Sequence, residues 1–433
     1  MTGTAAAGVP RRSMAIAALS TIVEWYDFTL YLYFATVLAR VFFGGGDASL
    51  GITLAGFAVS WLLRPLGAFC FGRIGDRYGR RRMLLISMAM MTATMLLTAL
   101  LPTYGQAGGA AGVLLLLLRG VMAFAVGGEY TGVVAYLLES APEQRRGLVT
   151  SLASAASEVG ALLAVGVSAL TVSLLSNTAL ATWGWRIPFA VGFVLAGALW
   201  VARTGLEESP AFLRHQREST PLSLVTSLKR FRHAIGQSFA ISALGSVTYY
   251  LGITYVPAFL VSTGTFSEKS ALSLSFVAAL SVIIITPFIG ALSDRVGRKP
   301  ILLFLLMGSL FMPLSVFWLM SGGHYLISMA GAVMLACLAG GISAVGAPAT
   351  AELFPVAGRL TGLALGTTAA TAVFGGMTPW LAQTLINHSG SHLAPGLIIT
   401  LVALGVLPVF LRMPETAPGK RRHASAGLAS TKT

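Results

Sequence analysis

The chain has 433 residues, 55% of them hydrophobic and only 10% charged, with a mean hydropathy of +0.80. A soluble chain carries roughly a quarter charged residues, so a string of soluble domains is excluded and a polytopic membrane protein is indicated. The net charge of +14 does not indicate a nucleic-acid partner, because the basic residues sit in short clusters between apolar runs and form no continuous face; such clusters suit membrane-flanking loops and contacts to membrane lipid.

A bilayer-crossing helix needs about 20 mostly apolar residues. Twelve such runs are predicted, at 14–42, 50–73, 83–101, 112–138, 148–175, 185–203, 236–262, 270–291, 300–320, 324–350, 361–386 and 394–412. Arg11 and Arg12 precede the first run as in a signal peptide. Glu24 and Asp27 interrupt it, however, and no clean cleavage site follows, so it reads as a retained helix. The sequence therefore predicts an N-terminal six-helix bundle over 1–204, a cytoplasmic linker over 205–235, a C-terminal six-helix bundle over 236–412 and a disordered tail over 413–433. Amphipathic parts of the linker are expected on the membrane surface. Lys and Arg concentrate on one side, in Arg11/Arg12, the 73–82 cluster, Arg145/Arg146, the linker, Arg295–Lys299, Arg359 and Lys420–Arg422. By the positive-inside rule that side, with both termini, is cytoplasmic.

The two halves repeat each other. Gly72-x-x-x-Asp76-Arg77-x-Gly79-Arg80-Arg81 returns as Gly290-x-x-x-Asp294-Arg295-x-Gly297-Arg298-Lys299, the aspartates 218 positions apart. Glu139-x-x-Pro142-x-x-x-Arg146 returns as Glu352-x-x-Pro355-x-x-x-Arg359, the glutamates 213 apart. Two unrelated motifs recurring at nearly one period mark a duplication.

Charges at bilayer depth are costly and need a reason. Glu24 and Asp27 are three apart on one face of the first helix, near mid-membrane. Two carboxylates so close cannot both ionise freely without a cation, which makes them candidates for proton coupling. The competing reading is an ion pair with Arg64 that locks helices together. In the fourth helix Arg119 offers a fixed fork for a substrate carboxylate, or serves helix packing; Glu129, ten residues on, is a further proton-coupling candidate. Glu158 in the fifth helix either faces the cavity or hydrogen-bonds a neighbouring serine. The second half is nearly uncharged in the membrane and offers hydroxyls instead, Tyr249 and Tyr250 foremost, either for solute binding or for ordinary helix–helix hydrogen bonds.

Cys70 and Cys337 lie in apolar runs of different halves and read as ordinary buried thiols. No histidine pair has metal-ligand spacing, no nucleophile–base–acid set can be assembled, and no phosphate loop is present. The expectation is no metal, no cofactor, no enzymatic activity and no ATP-driven step.

Six plus six helices as parallel repeats about an axis along the membrane normal is the architecture of a major facilitator transporter, and the Gly-x-x-x-Asp-Arg-x-Gly-Arg-Arg signature is that superfamily's marker. Glu24–Phe28, Arg64–Gly67, Gly127–Tyr130, Trp183–Pro188 and Phe374–Pro379 resemble the metabolite:proton symporters, whose members carry citrate, α-ketoglutarate, shikimate, or proline and betaine. The resemblance spans residues 14–413. In the wider superfamily an arginine at position 119 is followed by x-x-Gln-Gly; here Met122 and Ala123 stand there, so the companion glutamine is missing. The resemblance implies a proton-coupled importer of a small carboxylate-bearing metabolite in a bacterial inner membrane. A di- or tricarboxylate is the first choice and a proline/betaine-type zwitterion the second. It needs no obligatory protein partner. A proton-driven exporter of drug- or siderophore-like compounds is the alternative, and a flux-less sensor is a third reading. The resemblance further makes Asp76, Arg77, Arg80, Glu139 and Arg146, with Asp294, Arg295, Arg298, Glu352 and Arg359, a cytoplasmic gate. In it Asp76 would accept from the amino end of the eleventh helix and be the stronger of the two aspartates.

Overall fold

The computed structural model describes residues 10–45, 47–218, 224–262, 266–418 and 420. Within the described residues all regular structure is helical. Residues 421–433, with most of the expected tail, and 219–223 of the linker lie outside them. Nine described helical stretches are long and apolar enough to cross a membrane. The remaining three expected spans are helical too. The first comprises Arg11–Leu19, Thr21–Tyr33 and Ala35–Phe43, interrupted at Ser20 and Phe34. The second is one helix, Asp47–Tyr78, with Pro65 inside it. The seventh runs Leu224–Tyr249 and continues through a widened π-type turn at Tyr250–Thr254 into Val256–Ser262. Its helix starts twelve residues before the apolar run at 236. Hydropathy marks where a helix enters hydrocarbon, whereas backbone hydrogen bonding carries on into the polar residues before it. The linker holds a separate helix, Pro210–Glu218.

The chain divides into two compact units, residues 1–136 with 156–219, and 137–155 with 220–433. The fourth span (Gly109–Gly127 and Glu129–Ser140) and the fifth (Arg146–Leu174) therefore each contribute to both units. The first unit's core gathers Tyr26, Phe42, Met88, Met91, Trp185 and Phe189. Trp185 meets Phe42 edge-on at 4.9 Å, and the Tyr26 hydroxyl donates to the Pro188 carbonyl at 2.7 Å. Two phrases distant in sequence, around 25 and around 185, thus close on each other. The second and fourth spans cross backbone to backbone: a methyl group at Gly67 would fall on the carbonyl oxygen of Phe124, and one at Gly127 on that of Arg64. Small residues at a crossing let dispersion forces act where apolar burial gives no preference over lipid.

In the second unit the core is built on Leu251, Phe259, Phe317, Leu335 and Ile399 and, in a neighbouring cluster, on Leu244, Leu306, Ile342 and Phe410. Three hydrogen bonds tie the seventh span to the eleventh: Ser238–Thr367 at 2.9 Å, Ser246–Thr371 at 3.0 Å and Tyr255–Gln383 at 2.7 Å. Phe288, Phe304 and Leu326 are more than 70% exposed. Large apolar side chains left bare in this number mark a surface that faces lipid.

Both signature glycines, Gly79 and Gly297, join one helix to the next at φ +106° and +119°. Their ψ values of 154° and 159° place both in a region open in practice only to glycine.

Candidate functional site

The first span carries a polar stripe. Ser20, Glu24, Asp27 and Tyr31 are spaced by four, three and four residues and so share one helix face, over roughly 16 Å of rise. Three arginines from three other spans meet it. Arg119 of the fourth span grips Asp27 with both forks, Nη1 to Oδ2 at 2.8 Å and Nη2 to Oδ1 at 2.7 Å, and its guanidinium lies 5.1 Å from the Tyr31 ring centre. Arg64 of the second span approaches Glu24 only to 3.7 Å, beyond hydrogen-bond length. Oε2 of Glu24 is buried and has no hydrogen-bond partner among the described residues. Arg64 instead leans on aromatic rings, 4.2 Å from the centre of Trp61 and 5.3 Å from that of Phe28.

The third arginine, Arg203 at the end of the sixth span (Arg186–Thr204), is wholly buried. It pairs with Glu129 and donates to the Ser20 hydroxyl and, at 2.8 Å, to the Leu84 carbonyl. The Ser87 hydroxyl donates to the other oxygen of Glu129. The cluster joins four spans: the first through Ser20, the third through Leu84 and Ser87, the fourth through Glu129 and the sixth through Arg203. The two acids of the first span thus differ in kind: Asp27 is held bidentately, while Glu24 is held loosely. Glu129, ten residues from Arg119 along the fourth span, does not share its partner.

The other charged constellation lies on the signature side of the second unit. Asp294 accepts from the backbone N–H groups of Gly147 at 2.8 Å and Leu148 at 2.9 Å, at the amino end of the fifth span, where free donors and the helix dipole favour a carboxylate. Arg298 is buried and bonds Asp294 at 2.9 Å, the Ser293 hydroxyl at 2.6 Å and Glu352 at 3.4 Å. Arg359 donates to Glu139 at 2.7 Å and to the carbonyls of Ala351 and Phe354 at 3.0 and 3.1 Å. The glutamate of one Glu-x-x-Pro motif is thereby joined to the arginine of the other copy. In the first unit Arg80, also buried, pairs with Asp76 at 3.3 Å and donates to the Gly75 carbonyl at 2.7 Å.

Two helix-capping carboxylates escaped the sequence reading. Glu208 accepts from the backbone N–H groups of Arg80 at 3.0 Å and Arg81 at 3.2 Å, and Glu415 accepts from those of Arg298 at 2.9 Å and Lys299 at 3.1 Å. Each caps the helix that follows a signature glycine, and a methyl group on either glycine would strike the capping carboxylate. Burial pushes the Glu208 carboxyl above its ordinary range, while the N–H groups of Ser209, Arg81 and Arg80 and the Arg80 guanidinium pull it back. The available signal was weak: a Glu-Ser and a Glu-Thr pair, 207 positions apart, just after the last span of each half.

Among the remaining candidates, Glu158 is buried in the fifth span. Tyr249 and Tyr250 stack edge-on at 5.5 Å, where the helix widens, and Tyr250 packs on Gly375. Arg77 and Arg295 are exposed, outside both ion-pair networks. Cys70 and Cys337 are free and half-buried. Among the described residues no group of acidic, histidine and cysteine side chains is placed to hold a metal ion.

Comparison with known proteins agrees with the internal duplication. The family described as "Sugar (and other) transporter" matches residues 13–230 and again 222–421. The chain is 32% identical to the proline/betaine transporter of Salmonella typhimurium, covering 95% of this chain and 84% of that protein. It is 35% identical to the alpha-ketoglutarate permease of Escherichia coli, over 95% and 96%, and 31% identical to the citrate-proton symporter of Salmonella typhi, over 88% and 89%. Among solved structures, the proton:xylose symporter XylE superposes with a TM-score of 0.76 at 19% identity, over 94% of this chain and 96% of that one. At that identity the likeness concerns the fold.

Proposed function

From its membership of the sugar (and other) transporter family of the major facilitator superfamily, we propose that this membrane transporter is a proton-coupled symporter importing a small carboxylate-bearing metabolite. It would sit in a bacterial inner membrane with both termini cytoplasmic. The observation that carries the reading is the unequal pairing on the first span, Asp27 clamped by Arg119 and Glu24 loosely beside Arg64. A substrate carboxylate fits the Arg119 fork as Asp27 does and competes for it. An acid displaced from its arginine in a low-dielectric interior takes up a proton. Glu24, with one oxygen unpartnered, is the acid readiest to do so. Two arginines, each neutralised by its own acid, suit two carboxylates, which favours a dicarboxylate; the alpha-ketoglutarate and citrate relatives agree. Alternating access around this region would follow the family's rocking of repeats, with Glu129 as a further proton-handling candidate and Tyr249, Tyr250 and Glu158 as substrate contacts.

A second reading rests on Trp61 and Phe28. These rings already hold a guanidinium, and aromatic faces hold quaternary ammonium groups by the same attraction, so a zwitterion of the proline/betaine type would find both halves of its charge met.

The test is Glu24→Gln and Asp27→Asn, singly, in proteoliposomes. Neutralising the coupling acid is expected to abolish accumulation driven by a pH gradient while exchange of labelled for unlabelled solute survives, because exchange needs no net proton movement. If both variants still concentrate solute, the proton site lies elsewhere and Glu129→Gln is next. Reversing the gradient separates import from the exporter alternative.

A further inference from the structure

We propose that the first unit carries a binding site for a phosphate-bearing anion, supplied by a phospholipid headgroup of the leaflet on the basic side. The site is a cavity of about 1060 Å³ between the signature loop and the start of the linker. Arg77, Arg81 and Arg82 line it from the loop and Arg214 from the linker helix Pro210–Glu218. All four are exposed.

Two glutamates also line the cavity, but they do not neutralise it. The Glu208 carboxylate is spent on the backbone N–H groups of Arg80, Arg81 and Ser209. Four guanidiniums against two acids leave a positive excess. Arg81 is fixed by a 2.7 Å bond to the Thr204 carbonyl. Among the described residues the ion pairs join no carboxylate to Arg77 or Arg82. Arg77 and Arg82 lie 5.2 and 6.0 Å from the Tyr78 ring centre, so both guanidiniums gather about one ring, and each planar fork matches phosphate oxygens.

The lining is also partly apolar: Leu85 on the third span (Arg80–Ala99) and the exposed Leu213 flank the arginines. A free phosphate has no use for such a wall, whereas the glycerol and upper acyl carbons of a lipid do. Juxtamembrane arginines attract anionic headgroups.

The experiment compares thermal unfolding of the purified full-length protein in detergent with added phosphatidylglycerol, phosphatidylcholine or inorganic phosphate. Phosphatidylglycerol is expected to raise the midpoint on the order of 5 °C, phosphatidylcholine much less, and phosphate alone not at all. Arg82→Gln/Arg214→Gln should at least halve the shift, and native mass spectrometry should show fewer retained anionic lipids. Arg11→Gln/Arg12→Gln removes the same charge from exposed positions outside the cavity and should leave the shift intact. An equal shift with inorganic phosphate, lost in Arg82→Gln/Arg214→Gln, would overturn the lipid source and keep the anion site. No shift, or an equal loss in both double variants, would overturn the site.

Discussion

The two signature loops share a sequence pattern and a local geometry, yet their surroundings differ. Each has a glycine at positive φ, an aspartate bonded to an arginine four residues on, and a distant glutamate capping the next helix. In the second unit Asp294 is also seated on the amino end of the fifth span, and Arg298 also holds Glu352. In the first unit the loop borders an open arginine-lined cavity. The repeat supplies a scaffold; what the chain brings opposite it decides what that scaffold holds.

The largest effects are expected at the two buried arginines. Arg298→Ala strands two carboxylates, Asp294 and Glu352, and should cost about 3–5 kcal/mol. Arg80→Ala breaks the Asp76 pair and should likewise destabilise the protein. Unfolding in detergent measures both, and a negligible loss at either would remove that arginine from the scaffold the two loops share.

The glycines should behave alike. Gly79→Ala and Gly297→Ala each force a side chain into a glycine-only region, at about 1–3 kcal/mol, and push it onto a capping carboxylate. A large difference between them would show that the scaffolds are not equivalent.

Asp294→Asn keeps an acceptor for the fifth-span N–H groups but loses the charge that Arg298 and the helix dipole favour. Its expected effect is about 1–2 kcal/mol on gate closure, read as greater labelling of engineered cysteines from the basic side. Asp76→Asn, measured alongside, tests the sequence expectation that the first aspartate dominates; a larger shift at Asp76 would uphold it.

Glu208→Gln and Glu415→Gln should have the smallest effects, below about 1 kcal/mol, since one cap oxygen survives. Because burial raises the Glu208 carboxyl in the folded protein, stability from this group is present at low pH and lost as pH rises through its folded value. Glu208→Gln should remove that pH dependence, which unfolding midpoints across a pH series will show.

The duplication, the twelve spans and the repeated signature motifs were legible because punctuation between apolar runs survives without knowledge of packing. Partner choice was not. The sequence offered Arg64 as the partner of Glu24 and Asp27 and kept Arg119 for a substrate carboxylate or for packing; in the structure Arg119 holds Asp27 and Arg64 lies beside Glu24. Arg203, the last residue of the sixth apolar run, was not singled out, since a basic residue at a helix end ordinarily reaches for water. It is instead wholly buried against Glu129. Glu208 and Glu415 act on a backbone more than a hundred residues away, and no local periodicity encodes that.

The glycine crossing of the second and fourth spans has a mechanical consequence. With Gly67 on Phe124 and Gly127 on Arg64, those two helices have no room to slide and travel as one block. Arg64 and Arg119 are both bolted to it. Their acids, Glu24 and Asp27, ride on the first span, interrupted at Ser20 and Phe34. The two ion pairs are therefore ganged like two teeth of one rack, and a small roll of the first span against the block would strain both at once.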